Sequence, residues 1–138
     1  MKIEETTDID ICRTLRRMVF INEQGIAEAD EWDDLDIQAV HLLAWQGSRP
    51  VGTARILLSG DIGKIGRVCV LQDARGTGLG VGLIRVAVDK LRDCPGITQA
   101  KLSSQVHAIG FYEKLGFTVI GQEYDDAGIP HRDMILEL

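Results

Sequence analysis

The chain has 138 residues, 45% of them hydrophobic and 26% charged, with a formal net charge of −6. These values predict one globular domain spanning 1–138 and exclude a fibrous chain, a disordered chain or a general nucleic-acid binder. Met1-Lys2-Ile3-Glu4-Glu5 lacks the basic and apolar regions of a secretory signal, and no apolar run is long enough to span a membrane, so a cytoplasmic protein without membrane or nucleic-acid partners is expected. Cys12, Cys69 and Cys94 are odd in number, widely spaced and free of C-x-x-C pairs, which fits a reducing compartment better than a disulfide framework.

In chain order, Lys2–Glu5 reads as a short strand. Thr7 or Asp8 then caps a helix whose apolar positions are Ile11, Leu15, Met18 and Val19. Residues Glu23 to Asp36 are strongly acidic. Val40–Gln46 and Val51–Leu58 flank Gly47-Ser48-Arg49-Pro50 as a hairpin. Lys64–Leu71 is β-branched and reads as a buried strand, and Leu79, Leu83, Ile84, Ala87, Val88 and Leu91 recur at helical spacing up to Arg92. A strand from Ala100 to Val106, a short helix around Tyr112, and strands from Thr118 to Tyr124 and onward to Leu138 complete the pattern. The expected class is α+β, a mixed, mostly antiparallel sheet flanked by helices.

Between the buried strand and the long helix lies Arg75-Gly76-Thr77-Gly78-Leu79-Gly80-Val81-Gly82. A strand feeding a glycine-rich turn that opens a helix presents backbone N–H groups and a positive dipole end to one spot, which suits a phosphate or pyrophosphate. The dinucleotide fingerprint G-x-G-x-x-G fails here, because its sixth position falls on Val81, Leu83 or Arg85. The P-loop fails as well, since no Gly-Lys-Ser/Thr follows. The plain alternative is a turn that binds nothing. A second segment, Ala108-Ile109-Gly110-Phe111-Tyr112-Glu113-Lys114-Leu115-Gly116-Phe117, is a short helix stopped by a glycine, with an aromatic opening the next strand.

Arg75-x-x-Gly78-x-Gly80, followed in order by the Ala108–Phe117 segment, resembles the two signature motifs of the GNAT (Gcn5-related) N-acetyltransferases, and the order of elements is similar along the whole chain. The resemblance implies acetyl-CoA as co-substrate and no metal. Val68, Val70, Leu71, Arg75, Gly76, Thr77, Gly78, Leu79, Gly80, Gln105 and Lys114 would bind the coenzyme. A backbone N–H near Val70 or Leu71 would face the oxyanion, and Tyr112 would be the acid that protonates the departing thiolate. Tyr112 could equally be a tyrosine packing its ring in the core. Cys69 reads as a small buried hydrophobe rather than an acyl carrier.

Two positions depart from the family pattern. Arg67 lies where many members carry a glutamate base, and Gln105 where many carry asparagine. Candidate bases are Glu23, His41, His107 and His131, and no two histidines have ligand spacing for a metal. Val19-Phe20-Ile21-Asn22-Glu23-Gln24, His41, Gln105 with His107, and Gly128-Ile129-Pro130-His131 resemble the small bacterial ElaA/YjcF-type branch, which favours Glu23 and His41 as the proton-handling pair. The acidic run Glu28 to Asp36 is either a solvated loop or an electrostatic funnel for a cationic amine, small molecule or peptide, and Trp32 either pins that loop or offers a cation–π face. The expected activity is direct acetyl transfer to a primary amine in a ternary complex. The alternative is a coenzyme A sensor without catalysis. Pairing of two copies across a sheet edge is compatible with the resemblance.

Overall fold

The computed structural model describes residues 2–138. One seven-stranded sheet carries the chain, with strands β1 (Lys2–Thr6), β2 (Val40–Gln46), β3 (Arg49–Ser59), β4 (Ile62–Val70), β5 (Gln99–Gln105), β6 (Thr118–Asp126) and β7 (Ile129–Glu137) in the spatial order β1-β2-β3-β4-β5-β7-β6. All pairs are antiparallel except β4 with β5. Helices α1 (Ile9–Arg16), α2 (Glu28–Glu31), α3 (Leu79–Arg92) and α4 (Ile109–Glu113) flank the sheet, so the expected α+β class stands. No helix among the described residues is long and apolar enough to cross a membrane.

The β2–β3 hairpin closes on Gly47-Ser48, with Gly47 at φ +59°, tighter than the four-residue turn expected. Pro50 falls inside β3 near its start, where β4 has not yet joined and its missing N–H costs no bond to that strand. The helix after β1 also differs from expectation. It is α-helical only to Arg16, and residues Arg17–Glu23 continue as a π-helix. The buried face is therefore Cys12, Leu15, Arg16 and Val19, while Met18 turns outward at 45% exposure. An arginine on an apolar helix face is a position periodicity cannot predict, because its partners lie in another segment.

Helix α3 buries Leu79, Leu83, Ile84, Ala87, Val88 and Leu91 as its apolar spacing predicts. It packs on β1 to β4, whereas α4 packs on β5 and β6. Gly63 of β4 and Gly82 of α3 sit at tight contacts. A Cβ on Gly63 would stand 2.1–2.9 Å from three atoms of Leu91, and one on Gly82 would stand 2.7 Å from Ile3 Cδ1.

The parallel β4–β5 pairing spans only Ile62–Lys64 against Gln99–Lys101, after which the strands separate. The β3–β4 register explains why. Thr53 pairs with Cys69 but Arg55 with Gly66, so β4 carries one extra residue around Arg67 and Val68. Arg67 has φ +50°, a left-handed conformation that a non-glycine residue rarely adopts. Such a bulge bends its strand and ends pairing with the neighbour, and here it opens the sheet at its centre.

Candidate active site

The opening between β4 and β5 is a cavity of about 330 Å³, walled by β4 (Gly66, Arg67, Val68), by β5 (Ser103, Gln105), and by Tyr112, His107 and His131. Beyond Lys64 the outer edge of β4 has no strand against it. The Leu71 N–H donates to the Val51 carbonyl at 2.8 Å. Because backbone groups alternate sides along a strand, the Val70 N–H therefore points to the cleft. Of the two expected oxyanion donors, Val70 remains available and Leu71 does not.

At the end of β4 the chain enters a 3-10 turn (Gln72–Ala74) and then the glycine-rich segment. Gly76 and Gly78 have φ +79° and +84°, and Gly78 is the N-cap of α3 with no side chain capping it. The first N–H groups of α3 are thus offered outward. A Cβ built on Gly76 or Gly78 would meet nothing within 4 Å, so these glycines are required by their backbone conformation rather than by crowding. Thr77 Oγ1 donates to the Ala74 carbonyl at 2.7 Å and fixes the loop. Leu79 is buried beneath the helix start, and Gly80 lies under Phe111, whose ring meets the Tyr112 ring edge-on at 5.0 Å. The turn and the Tyr112 helix are therefore adjacent.

The Tyr112 ring also meets Phe117 edge-on at 6.2 Å, and burial raises its phenol pKa above the ordinary value. A phenol in this state stays protonated across the neutral range and can donate a proton.

Other predicted residues take different places. Arg75 is not a free phosphate ligand. It donates through two nitrogens to Glu23 at 2.6 and 2.7 Å, and through Nε to the Val70 carbonyl at 3.0 Å. That pairing raises the Arg75 pKa and lowers that of Glu23. Glu23 therefore stays an anion with both oxygens engaged, and the expectation that it acts as the base is corrected. His41 is corrected too. It is 3% exposed in β2, bonded through Nε2 to the Asp36 carbonyl at 2.8 Å, and outside the cavity wall. Lys114 lies at the end of α4 beside Arg85 and Arg92, around a second hollow of about 310 Å³. Cys69 is buried and its thiol pushed up to about 12 by burial, so it is no nucleophile.

The acidic run is divided: Glu28, Asp30 and Asp34 are exposed, whereas Glu31, Asp33 and Asp36 are tied into an ion network with arginines. Arg16 pairs with Glu31 and Asp36 at 2.9 and 2.8 Å, Arg55 pairs with Asp33 and Asp36 at 2.8 and 3.0 Å, and Arg13 joins Asp36 at 3.0 Å. Arg67 reaches Glu31 at 3.0 Å and donates to its carbonyl at 3.1 Å, which ties the bulge to α2. Glu31, Asp36 and Arg16 are 1–2% exposed. Burial raises the Glu31 pKa against its arginines, whereas the Asp36 carboxyl is held well below its usual range because hydrogen bonds from Arg16 and Arg13 outweigh burial. Trp32 packs under the Arg16 and Arg17 guanidiniums at 5.3 and 5.4 Å, so it pins this segment.

Two residues named from the sequence make contacts that no local pattern shows. Gln105 donates to Gln24 Oε1 at 3.1 Å and its Oε1 lies 2.6 Å from His107 Nε2, which links the π-helix end to β5 across the mouth of the cavity. His131 also lines the wall, held through Nδ1 at 2.8 Å from the Ile129 carbonyl. The resemblance singles out His131 as a candidate base, but not the backbone contact that orients its ring.

Residues 20–138 match the family model described as an acetyltransferase (GNAT) domain. The uncharacterized N-acetyltransferase YjcF of Bacillus subtilis is 36% identical over 122 residues, which cover 88% of this chain and 86% of that protein. The crystal structure of Escherichia coli ElaA superposes with a TM-score of 0.88 at 26% identity over 99% of both chains. That of an acyl-CoA N-acyltransferase from Pseudomonas aeruginosa gives 0.87 at 29% identity, over 98% of this chain and 97% of that one. A bulged β4 parted from β5, a glycine turn opening α3 and a tyrosine helix beside it thus occur in a chain that belongs to the GNAT acetyltransferase family.

Proposed function

We propose that the protein transfers an acetyl group from acetyl-CoA directly to a primary amine, with both bound at once. The observation that carries this reading is the cavity in which the free edge of β4 at Gly66–Val68 faces Tyr112, while the Gly76–Gly80 turn follows β4 along the chain and meets Phe111, next to Tyr112. The coenzyme supplies the activated thioester. Backbone N–H groups of the turn suit its pyrophosphate, the unpaired β4 edge suits its amide-bearing arm, and the Val70 N–H is placed for an oxyanion. Tyr112 holds the proton for the leaving sulfur. Asp30 and Asp126 on the cavity wall support an acceptor with positive charge, now from the mouth of the cavity rather than from the buried network.

Incubation with acetyl-CoA and a library of amines tests the reading through release of free thiol and mass analysis of the products. Amine-dependent thiol release with one acetyl added per amine is expected. Tight acetyl-CoA binding without amine-dependent release would replace the enzyme with a coenzyme-sensing module. An acetylated protein intermediate would remove direct transfer.

A further inference from the structure

With Glu23 held by Arg75, His41 buried and β4 carrying Arg67 where a carboxylate base would stand, the proton of the acceptor nitrogen must leave by another wall. Two imidazoles line the cavity, and their existing hydrogen bonds decide which nitrogen each leaves free. His131 stands in β7 opposite Gln105 of β5 and Tyr124 of β6. Its Nδ1 lies 2.8 Å from a backbone carbonyl, that of Ile129. A carbonyl only accepts, so Nδ1 carries the hydrogen and the neutral ring has its lone pair on Nε2. The Tyr124 ring stacks on the imidazole at 6.2 Å and 24°. Tyr124 is itself fixed by Asp133 at 2.6 Å and by Ser103. His107 is held less firmly. It is exposed, and its partner Gln105 is oriented only by the Gln24 side chain, so both amides can turn together.

We propose that His131, through Nε2, accepts the proton released by the amine as it is acylated, an inference that rests on the acetyl-transfer reading. The nitrogen lone pair forms the C–N bond and the C–S bond breaks with its electron pair going to sulfur. Tyr112 gives its proton to that sulfur, and His131 takes the proton the nitrogen loses. Solvent then restores both side chains. The charged and titratable groups facing His131 are Tyr124 and Asp126 from β6, Asp133 and Arg132 beside it on β7, and His107 beyond β5. Across the cavity stand Asp30, Lys64 and the internally paired Glu31, Arg55 and Arg67.

The test combines a readout independent of turnover with a pH profile. In protein carrying 15N-labelled histidine, long-range NMR correlations should show one imidazole with its hydrogen on Nδ1 and a lone pair on Nε2, absent from His131→Asn. In wild type, kcat/KM should fall on the acid side as this imidazole protonates. His131→Asn should remove that limb and lower kcat by about 10²–10⁴-fold. Its acetyl-CoA affinity by calorimetry should be unchanged. His107→Asn should keep the limb. A hydrogen found on Nε2 of His131, or a His131→Asn enzyme that keeps both rate and acid limb, overturns the assignment while acetyl transfer stands. A wild type that turns over no amine removes the acetyl-transfer reading, and the role of His131 falls with it.

Discussion

Tyr112 has its ring fixed by Phe111 and Phe117 and its hydroxyl kept protonated by burial. Tyr112→Phe preserves the ring contacts and removes only the proton, so kcat should drop by about 10²–10⁴-fold with acetyl-CoA affinity retained in calorimetry. The alkaline limb of wild-type activity should appear only at strongly alkaline pH, because a raised pKa keeps the acid loaded to higher pH. Tyr112 and the glycines were legible in the sequence, since fixed spacing within one segment locates them. Glu23 and His41 were not separable from true bases, because a titratable side chain reads the same whether free or paired. Arg75 lies 52 positions from Glu23, and that distance hides the pair from any local pattern.

At the scale of elements, strands and the long helix were read within about two residues because their apolar periodicity is local. The opening of the sheet was not. Its cause is one extra residue at Arg67, and the only trace in the sequence is Gly66 within an otherwise β-branched run. Gly63 marks the opposite requirement, close approach without strain, since its φ is not positive and the whole end of Leu91 fills the space above it. Gly63→Ala should overpack the α3–β4 contact and cost about 1–3 kcal/mol. A Tm lowered by several degrees would confirm this, and an unchanged Tm would show that Leu91 moves aside freely.

The buried ion network acts on the whole molecule, joining α1, α2, β3 and the β4 bulge. Its acids titrate in opposite senses. The Asp36 pKa is depressed below an unfolded value of about 3.9, so its stabilisation is complete above that pH and is lost as pH falls below it. The Glu31 pKa is raised, so its ionised form opposes folding at neutral pH and acidification relieves it first. Asp36→Asn should therefore cost about 3–5 kcal/mol in denaturant unfolding at pH 7 by stranding its arginines, and Glu31→Gln should cost less. The Asp36→Asn protein should also lose less stability between pH 5 and pH 2 than wild type. Equal costs for the two variants would contradict the opposed shifts.

The six residues that join β4 to β5 leave the two halves of the sheet sharing a short seam, each half with its own helix against it. Below the seam every strand is bonded to its neighbour. Above it the cavity walls are joined only by side chains, such as the Gln24–Gln105 contact. Widening the mouth therefore breaks no strand-to-strand hydrogen bond between β4 and β5, while the base of the wedge stays fixed. Girth at the mouth is consequently a dimension this protein can vary without unpairing its sheet, and Tyr112 and His131 both stand on the β5 side of the opening.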